Sequence, residues 1–255
     1  MIGAIAGDII GSPYEHHPIK TTDFPLFSKQ SRFTDDTVLT IATAYAVLEG
    51  LSYGESYKLW SRQFPNAGYG GMFRKWMNSE DNSPYNSWGN GAAMRVSPVG
   101  FAFDTEDDVL KEAEKSACVT HNHPEGVKGA QAAALSVFYA RQAKPKDEIK
   151  ICIEKNFGYD LSRTVAEIRP SYSFDVSCQG TVPESIIAFL ESHGVEDAIR
   201  IAVSLGGDSD TLGCITGAIA HAYYQTIPDH IQQGIYELLP NRMRTVIERF
   251  TEKYN

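Results

Sequence analysis

The chain has 255 residues, 42% hydrophobic and 22% charged, a globular profile with room for one large domain or two small ones. Its formal net charge of −9 disfavours a nucleic-acid backbone as the main partner, since phosphate-tracking proteins carry a basic face; an anionic small substrate would need local Arg, Lys or metal. The apolar runs fall far short of the ~20 residues of a membrane span, so no membrane partner is expected.

The first element expected is a helix over 3–11. Its segment MIGAIAGDIIGSPYE has no basic leader and carries Asp8 inside the apolar stretch, so it does not read as a signal peptide. RFTDDTVLT (32–40) opens a second helix, with Val38, Ile41, Ala42, Tyr45 and Leu48 on one face. Further helical runs are expected at 55–63, 106–117, 127–142, 146–156, 184–192 and 196–205. A helix follows through Leu212, Ile215, Ile219, Ala222 and Tyr223, and two closing helices are separated by Pro240. PNAGYGG (65–71) and DNSPYNSWGNGAAMRVSPVG (81–100) read as Gly-rich polar loops, which at this length are often functional. SYSFDVS (171–177) alternates like a short strand, with Tyr172, Phe174 and Val176 on one side. One strand makes no sheet, so the expected fold is all-α, a compact single-domain helical bundle over 1–255 with at most that short strand. The cysteines Cys118, Cys152, Cys178 and Cys214 form no CxxC pair, which fits reduced thiols and a cytoplasmic location.

Two acidic turns stand out. Thr34, Asp35, Asp36 and Thr37 sit at an expected helix start, where Thr and Asp are favoured caps and the dipole favours acids. DTEDDV (104–109) is equally acidic before a helix and reads as a capping box, Thr105 with Asp108. The segment SLGGDSDTLG repeats the design with Asp208, Asp210 and Thr211, after Gly206 and Gly207 that permit a tight turn. If the two turns met, their four Asp and two Thr side chains would form an all-oxygen set suited to hard cations such as Mg²⁺, Mn²⁺ or Ca²⁺. Two ions roughly 3.5–4 Å apart would balance that charge. Capping and ion binding both remain open at this point.

GDIIGSPYE, RFTDDT, GNGAAMR, THNHP and LGGDSDT occur in that order between residues 7 and 211, and the set resembles the signature blocks of the ADP-ribosylglycohydrolase family. The resemblance implies an all-α fold and two Mg²⁺ (or Mn²⁺) ions held by Thr34, Asp35, Asp36, Asp208, Asp210 and Thr211. It implies hydrolysis of the C1″ glycosidic bond of ADP-ribose, releasing ADP-ribose from a modified protein or small molecule. Nucleic-acid-linked ADP-ribose is not excluded, and arginine, serine, a nucleobase and O-acetyl-ADP-ribose all remain open as acceptor. With Glu15 as assistant, the catalytic set would be Glu15, Asp35, Asp36 and Asp208. Substrate contacts are expected from Tyr69, Gly70, Gly71, Asn90, Gly91, His121 and Ser209. Against these stand plainer readings: Glu15 solvated, His121 and His123 as loop or cap histidines, the GNG stretch as a turn, Arg95 in a structural ion pair, Tyr69 or Phe73 in the core rather than on adenine, and Cys178 a packed thiol. The chain is expected to act as a monomer. The competing functions are an ADP-ribose-binding module without turnover, a structural protein, and a metal-dependent nucleotide phosphoester hydrolase.

Overall fold

A computed structural model describes residues 1–254. The helices run α1 (Ile2–Gly11), α2 (Asp35–Glu49), α3 (Tyr53–Gln63), α4 (Gly71–Asn78), α5 (Gly91–Met94), α6 (Ser97–Ala102), α7 (Glu106–Cys118), α8 (Pro124–Arg141), α9 (Lys146–Phe157), α10 (Val165–Ile168), α11 (Cys178–Glu191), α12 (Val195–Val203), α13 (Ser209–Tyr224), α14 (Asp229–Leu238) and α15 (Asn241–Tyr254). The all-α expectation therefore holds, and the buried apolar side chains form one cluster reaching from Met1 to Phe250. Among the described residues no helix is long and apolar enough to cross a membrane.

Glycine decides how the two central helices meet. A Cβ on Gly7 would lie 1.9 Å from the Gly213 carbonyl oxygen, and one on Gly3 would lie 2.1 Å from that of Gly217. A Cβ on Gly11 would lie 2.3 Å from the Ser209 oxygen. Glycines one turn apart make a stripe down α1, which lets its backbone touch that of α13 running antiparallel. Every residue of α1 is buried as a result. This contact sets the end of α1 beside the start of α13, so Glu15 and the GGDSDT turn become neighbours.

Three expectations need correction. The 171–177 stretch is not a strand: the described residues hold only an isolated antiparallel bridge, Gly89 to Ser177. With no adjacent strand to complete a ladder, local polar bonds take over. Asp175 accepts the Ser177 N–H at 2.7 Å and the Tyr172 hydroxyl donates to the Gly180 carbonyl at 2.9 Å. Phe174 and Val176 are left exposed, at 52% and 47%. The stretch 81–100 is not loop throughout, since α5 and α6 lie in it, with Pro98 in the first turn of α6 where a missing N–H costs nothing. Finally, α11 begins at Cys178 rather than 184; Ser177 caps it through the Gly180 N–H, and Pro183 is carried inside the helix.

Candidate active site

The TDDT turn is both a cap and part of a site. The Thr34 hydroxyl accepts the Asp36 N–H at 3.2 Å, which starts α2. Thr34 and Thr37 in turn bind the buried carboxylate of Asp8 on α1. Asp8 accepts the Thr34 N–H at 2.9 Å, the Thr34 hydroxyl at 2.7 Å and the Thr37 N–H at 3.1 Å, together with the Thr37 hydroxyl. This leaves Thr34 and Thr37 committed inward, while Asp35 and Asp36 line the adjacent cavity. At the other turn, Gly206 adopts φ +69°, a left-handed conformation that favours glycine, and the chain then enters α13 at Ser209. Lys20 fastens that turn, donating to the carbonyls of Leu205 at 2.5 Å and Tyr172 at 2.6 Å.

The two turns face one cavity of about 400 Å³. Its acidic end is made by Glu15, Asp35, Asp36, Asp208, Asp210 and Thr211. Carboxylate oxygens of Glu15, Asp208 and Asp210 lie within 4.8 Å of one another. Asp36 Oδ2 is buried without a hydrogen-bond partner. The opposite wall is formed by the Gly89–Gly91 turn and His121, and a third by Gly68, Gly70, Gly71, Met72 and Phe73.

So many buried acids strain each other's ionisation. Burial first, then the charge of Asp8, pushes the Asp35 carboxyl up to about 8. Burial raises Asp36 well above the usual range, helped by Asp8, Asp35 and Asp208. Burial also raises Asp210, helped by Asp208, Asp36, Glu15 and Asp8, and it raises Asp208 and Glu15. A carboxylate in such company is stable as an anion only beside positive charge. An unpartnered Asp36 oxygen, converging carboxylates and a set of oxygen-only donors fit hard divalent cations, and differ from the Cys and His sets usual for zinc.

The profile of ADP-ribosylglycohydrolases matches residues 1–255. The chain belongs to the ADP-ribosylglycohydrolase family. It is 27% identical to mouse ADP-ribosylhydrolase ARH3 over 319 aligned positions, covering 92% of this chain and 85% of the mouse protein. It is 26% identical to the ADP-ribosyl-[dinitrogen reductase] glycohydrolase of Rhodospirillum rubrum, covering 98% and 92%. A solved structure titled "ADP-ribosylglycohydrolase-related protein complex" superposes with a TM-score of 0.75 at 23% identity, over 100% of this chain and 97% of that one, which shows the shared fold.

Within this family member, the residues expected at the site fall into two groups. Glu15, Asp35, Asp36, Asp208, Asp210, Thr211, Gly70, Gly71, Asn90, Gly91 and His121 line the cavity. Others do not take the expected place. Ser209 is wholly buried, and its hydroxyl turns back to the carbonyls of Gly207 at 3.2 Å and Tyr14 at 3.4 Å, because the first turn of α13 packs it against the end of α1. Tyr69 lies buried against Phe73, rings stacked with centroids 5.3 Å apart, and of the two it is Phe73 that lines the cavity, together with Tyr85 and Phe174. Asn90 is at the cavity, but its amide donates to Asp208 Oδ2 at 2.7 Å and to the Thr181 hydroxyl at 3.1 Å, so it orients an acid. Thr34 is buried as the cap of α2. His123 caps α8, accepting the Glu125 N–H at 3.1 Å. Cys178 is a packed thiol that burial pushes up to about 12. Sequence reasoning missed Asp8, whose signal was an acid inside an otherwise apolar helix. Gly68, in the PNAGYGG loop, has φ +108°, and a Cβ there would sit 3.2 Å from Asp35 Oδ1.

Gly91 yields a prediction. A Cβ there would stand 3.1 Å from His121 Nε2, closer than ordinary contact. Gly91→Ala is expected to push the ring aside and lower kcat/KM about tenfold with melting unchanged. A variant with wild-type kinetics would show that the ring does not serve this wall.

Proposed function

We propose that the chain is an ADP-ribosyl hydrolase that cuts the C1″ glycosidic bond joining ADP-ribose to an acceptor, arginine-type or other, and releases ADP-ribose. The observation carrying this reading is the convergence of Asp35 and Asp36 with Asp208, Asp210 and Glu15 at one end of a cavity whose other walls are small, polar and aromatic. Membership of the family supports the glycosidase class. Asp35, Asp36, Asp208, Asp210 and Thr211 are the residues that would hold two divalent cations, Mg²⁺ or Mn²⁺, which when bound supply positive charge and Lewis acidity at the ribose end.

The protein's own groups divide the remaining work. Asn90 and the GGDSDT turn hold Asp208 in place. Glu15 sits at the edge of the acid cluster with a carboxyl raised by burial, the direction that suits a group exchanging a proton with the reacting centre. Cleavage builds positive character at the anomeric carbon, and negative charge on the surrounding carboxylates favours it. Phe73 and Met72 offer an apolar face for the base, and the Gly89–Gly91 turn leaves room for the sugar and phosphates to approach its backbone.

The test is a panel of defined ADP-ribosyl linkages incubated with the full chain and Mg²⁺. Free ADP-ribose should appear from at least one linkage, and EDTA should reduce its rate at least a hundredfold, reversibly on adding Mg²⁺ or Mn²⁺. Full activity in EDTA would remove the cations from the mechanism. Tight ADP-ribose binding with no product would favour a binding module, and release of phosphate a phosphoester hydrolase.

A further inference from the structure

Beside the GNG and THNHP turns the cavity is lined by a buried cation. Arg95 is wholly inaccessible, and its guanidinium lies 4.2 Å from the centre of the Tyr57 ring. Its Nη2 donates to the Ser116 carbonyl at 3.0 Å and to the Thr120 hydroxyl at 2.8 Å. Nε and Nη1 are buried without partners. Leaving a charged donor half-satisfied is costly, and two hydrogen bonds plus one aromatic face offset only part of that cost. Such a group calls for a reason beyond packing.

The reason lies one bond further on. Thr120 is also fully buried, and its oxygen is 2.7 Å from His121 Nδ1. A guanidinium can only donate, so the Thr120 oxygen accepts from Arg95. That hydroxyl has a single proton, and its side-chain neighbours are Nδ1 at 2.7 Å and the Tyr85 hydroxyl, which carries a proton of its own to give to the threonine oxygen. With the Thr120 proton given to Nδ1, that nitrogen accepts and the proton of the neutral imidazole falls on Nε2. Nε2 faces the Gly89–Gly91 turn, where Cβ atoms would stand 3.6 Å and 3.1 Å away, and the ring lines the cavity.

We propose that Arg95, acting through the Thr120 hydroxyl, is a positioning residue that fixes His121 as a neutral imidazole with its proton on Nε2, so that the ring gives the substrate a hydrogen bond and does not act as a base. Burial of the ring and the nearby Arg95 charge both hold it in the uncharged form. Arg95 thus makes no ion pair in this arrangement: it dictates a tautomer. The tautomer stands on the hydrogen-bond geometry alone. Its use in turnover rests on the proposed function.

Two readouts keep these separate. The first is long-range ¹H–¹⁵N NMR of the full chain labelled at histidine, with His121 assigned by comparison with His121→Asn. The expected His121 pattern is that of the Nε2–H tautomer throughout pH 6–8. Thr120→Ser should keep it and Thr120→Val should give a tautomer mixture. The second is kinetic: Thr120→Val should lower kcat/KM about tenfold, and Thr120→Ser should restore it to within about twofold of wild type. An Nδ1–H or imidazolium spectrum in the wild type overturns the proposal, as does a Thr120→Ser protein impaired as badly as Thr120→Val. If Thr120→Val does not fold, the wild-type spectrum and Thr120→Ser decide. A wild type that cleaves no ADP-ribosyl linkage but shows the Nε2–H spectrum refutes the functional reading and leaves the relay standing.

Discussion

Asp36→Asn, and separately Asp210→Asn, should lower turnover by roughly a thousandfold or more while helix content by circular dichroism stays at the wild-type level. Both acids are buried at the meeting of the two turns, and Asp36 keeps an oxygen with no partner in the protein. The same substitutions should raise the melting temperature of cation-free protein, because each removes a buried negative charge crowded by others. Stability and function pull in opposite directions here. The pH dependence follows with a definite sign. The Asp35 carboxyl is pushed up to about 8 and that of Asp8 to about 6, against roughly 4 in an unfolded chain. Between those values the folded state binds more protons than the unfolded one, so cation-free stability falls as pH rises from about 4 towards 8. Adding Mg²⁺ at pH 8 should reverse the loss, since a ligand of the folded state stabilises it by mass action, and Asp36→Asn should blunt that rescue. Thermal melts across pH, with and without Mg²⁺, measure all of this. A cation-free melting temperature that climbs steadily from pH 5 to 8 would refute the picture of a crowded acid cluster.

Gly7→Ala should be the most damaging single-methyl change in the scaffold. The added Cβ would lie 1.9 Å from the Gly213 carbonyl oxygen and 2.1 Å from its carbon, both backbone atoms with nowhere to turn. Helices α1 and α13 must separate, at a cost of about 3 kcal/mol, which in a chain of this size lowers the melting temperature by roughly 5–10 °C. The damage should also reach the site, because the same contact carries Glu15 to Asp208 and Asp210. Turnover at a temperature where the variant remains folded should therefore drop. Gly194→Ala serves as the control: its Cβ meets nothing within 4 Å, and its φ of 177° is ordinary extended backbone. Equal melting temperatures for Gly7→Ala and Gly194→Ala would mean that the two helices do not meet backbone to backbone.

Capping and chemistry, set against each other when TDDT is read as sequence, are not alternatives. Thr105 accepts the Asp108 N–H at 3.1 Å and donates its hydroxyl to the Asp108 carboxylate at 2.7 Å, both bonds staying within the first turn of α7. Thr34 makes the equivalent cap, yet it also ties α2 to Asp8 and leaves its two neighbours facing the cavity. The acidic turns themselves were legible because their information is local: adjacent acids at a helix start, and glycines ahead of a sharp bend. Asp8, the amide of Asn90 and the hydroxyl of Thr120 were not legible in their roles. Asp8 meets partners 26 and 29 residues away, and Asn90 meets Asp208 across 118. No window of sequence contains such pairs. The alternation at 171–177 misled for a related reason, since a strand exists only when a second strand is present to bond with it.

Composition and helical periodicity alone were enough to fix an all-α chain, most of its helix positions and the two acidic turns that line its cavity, because propensity, capping and the spacing of apolar residues act within a few turns of the backbone. What needed the tertiary structure was direction: that Asp35 and Asp36 turn towards Asp208 and Asp210 while Ser209 turns away, and that Phe73 rather than Tyr69 meets the cavity. Those choices belong to packing. A glycine stripe sets how near two helices lie, and that separation decides which side chains are buried among partners and which are left facing open space.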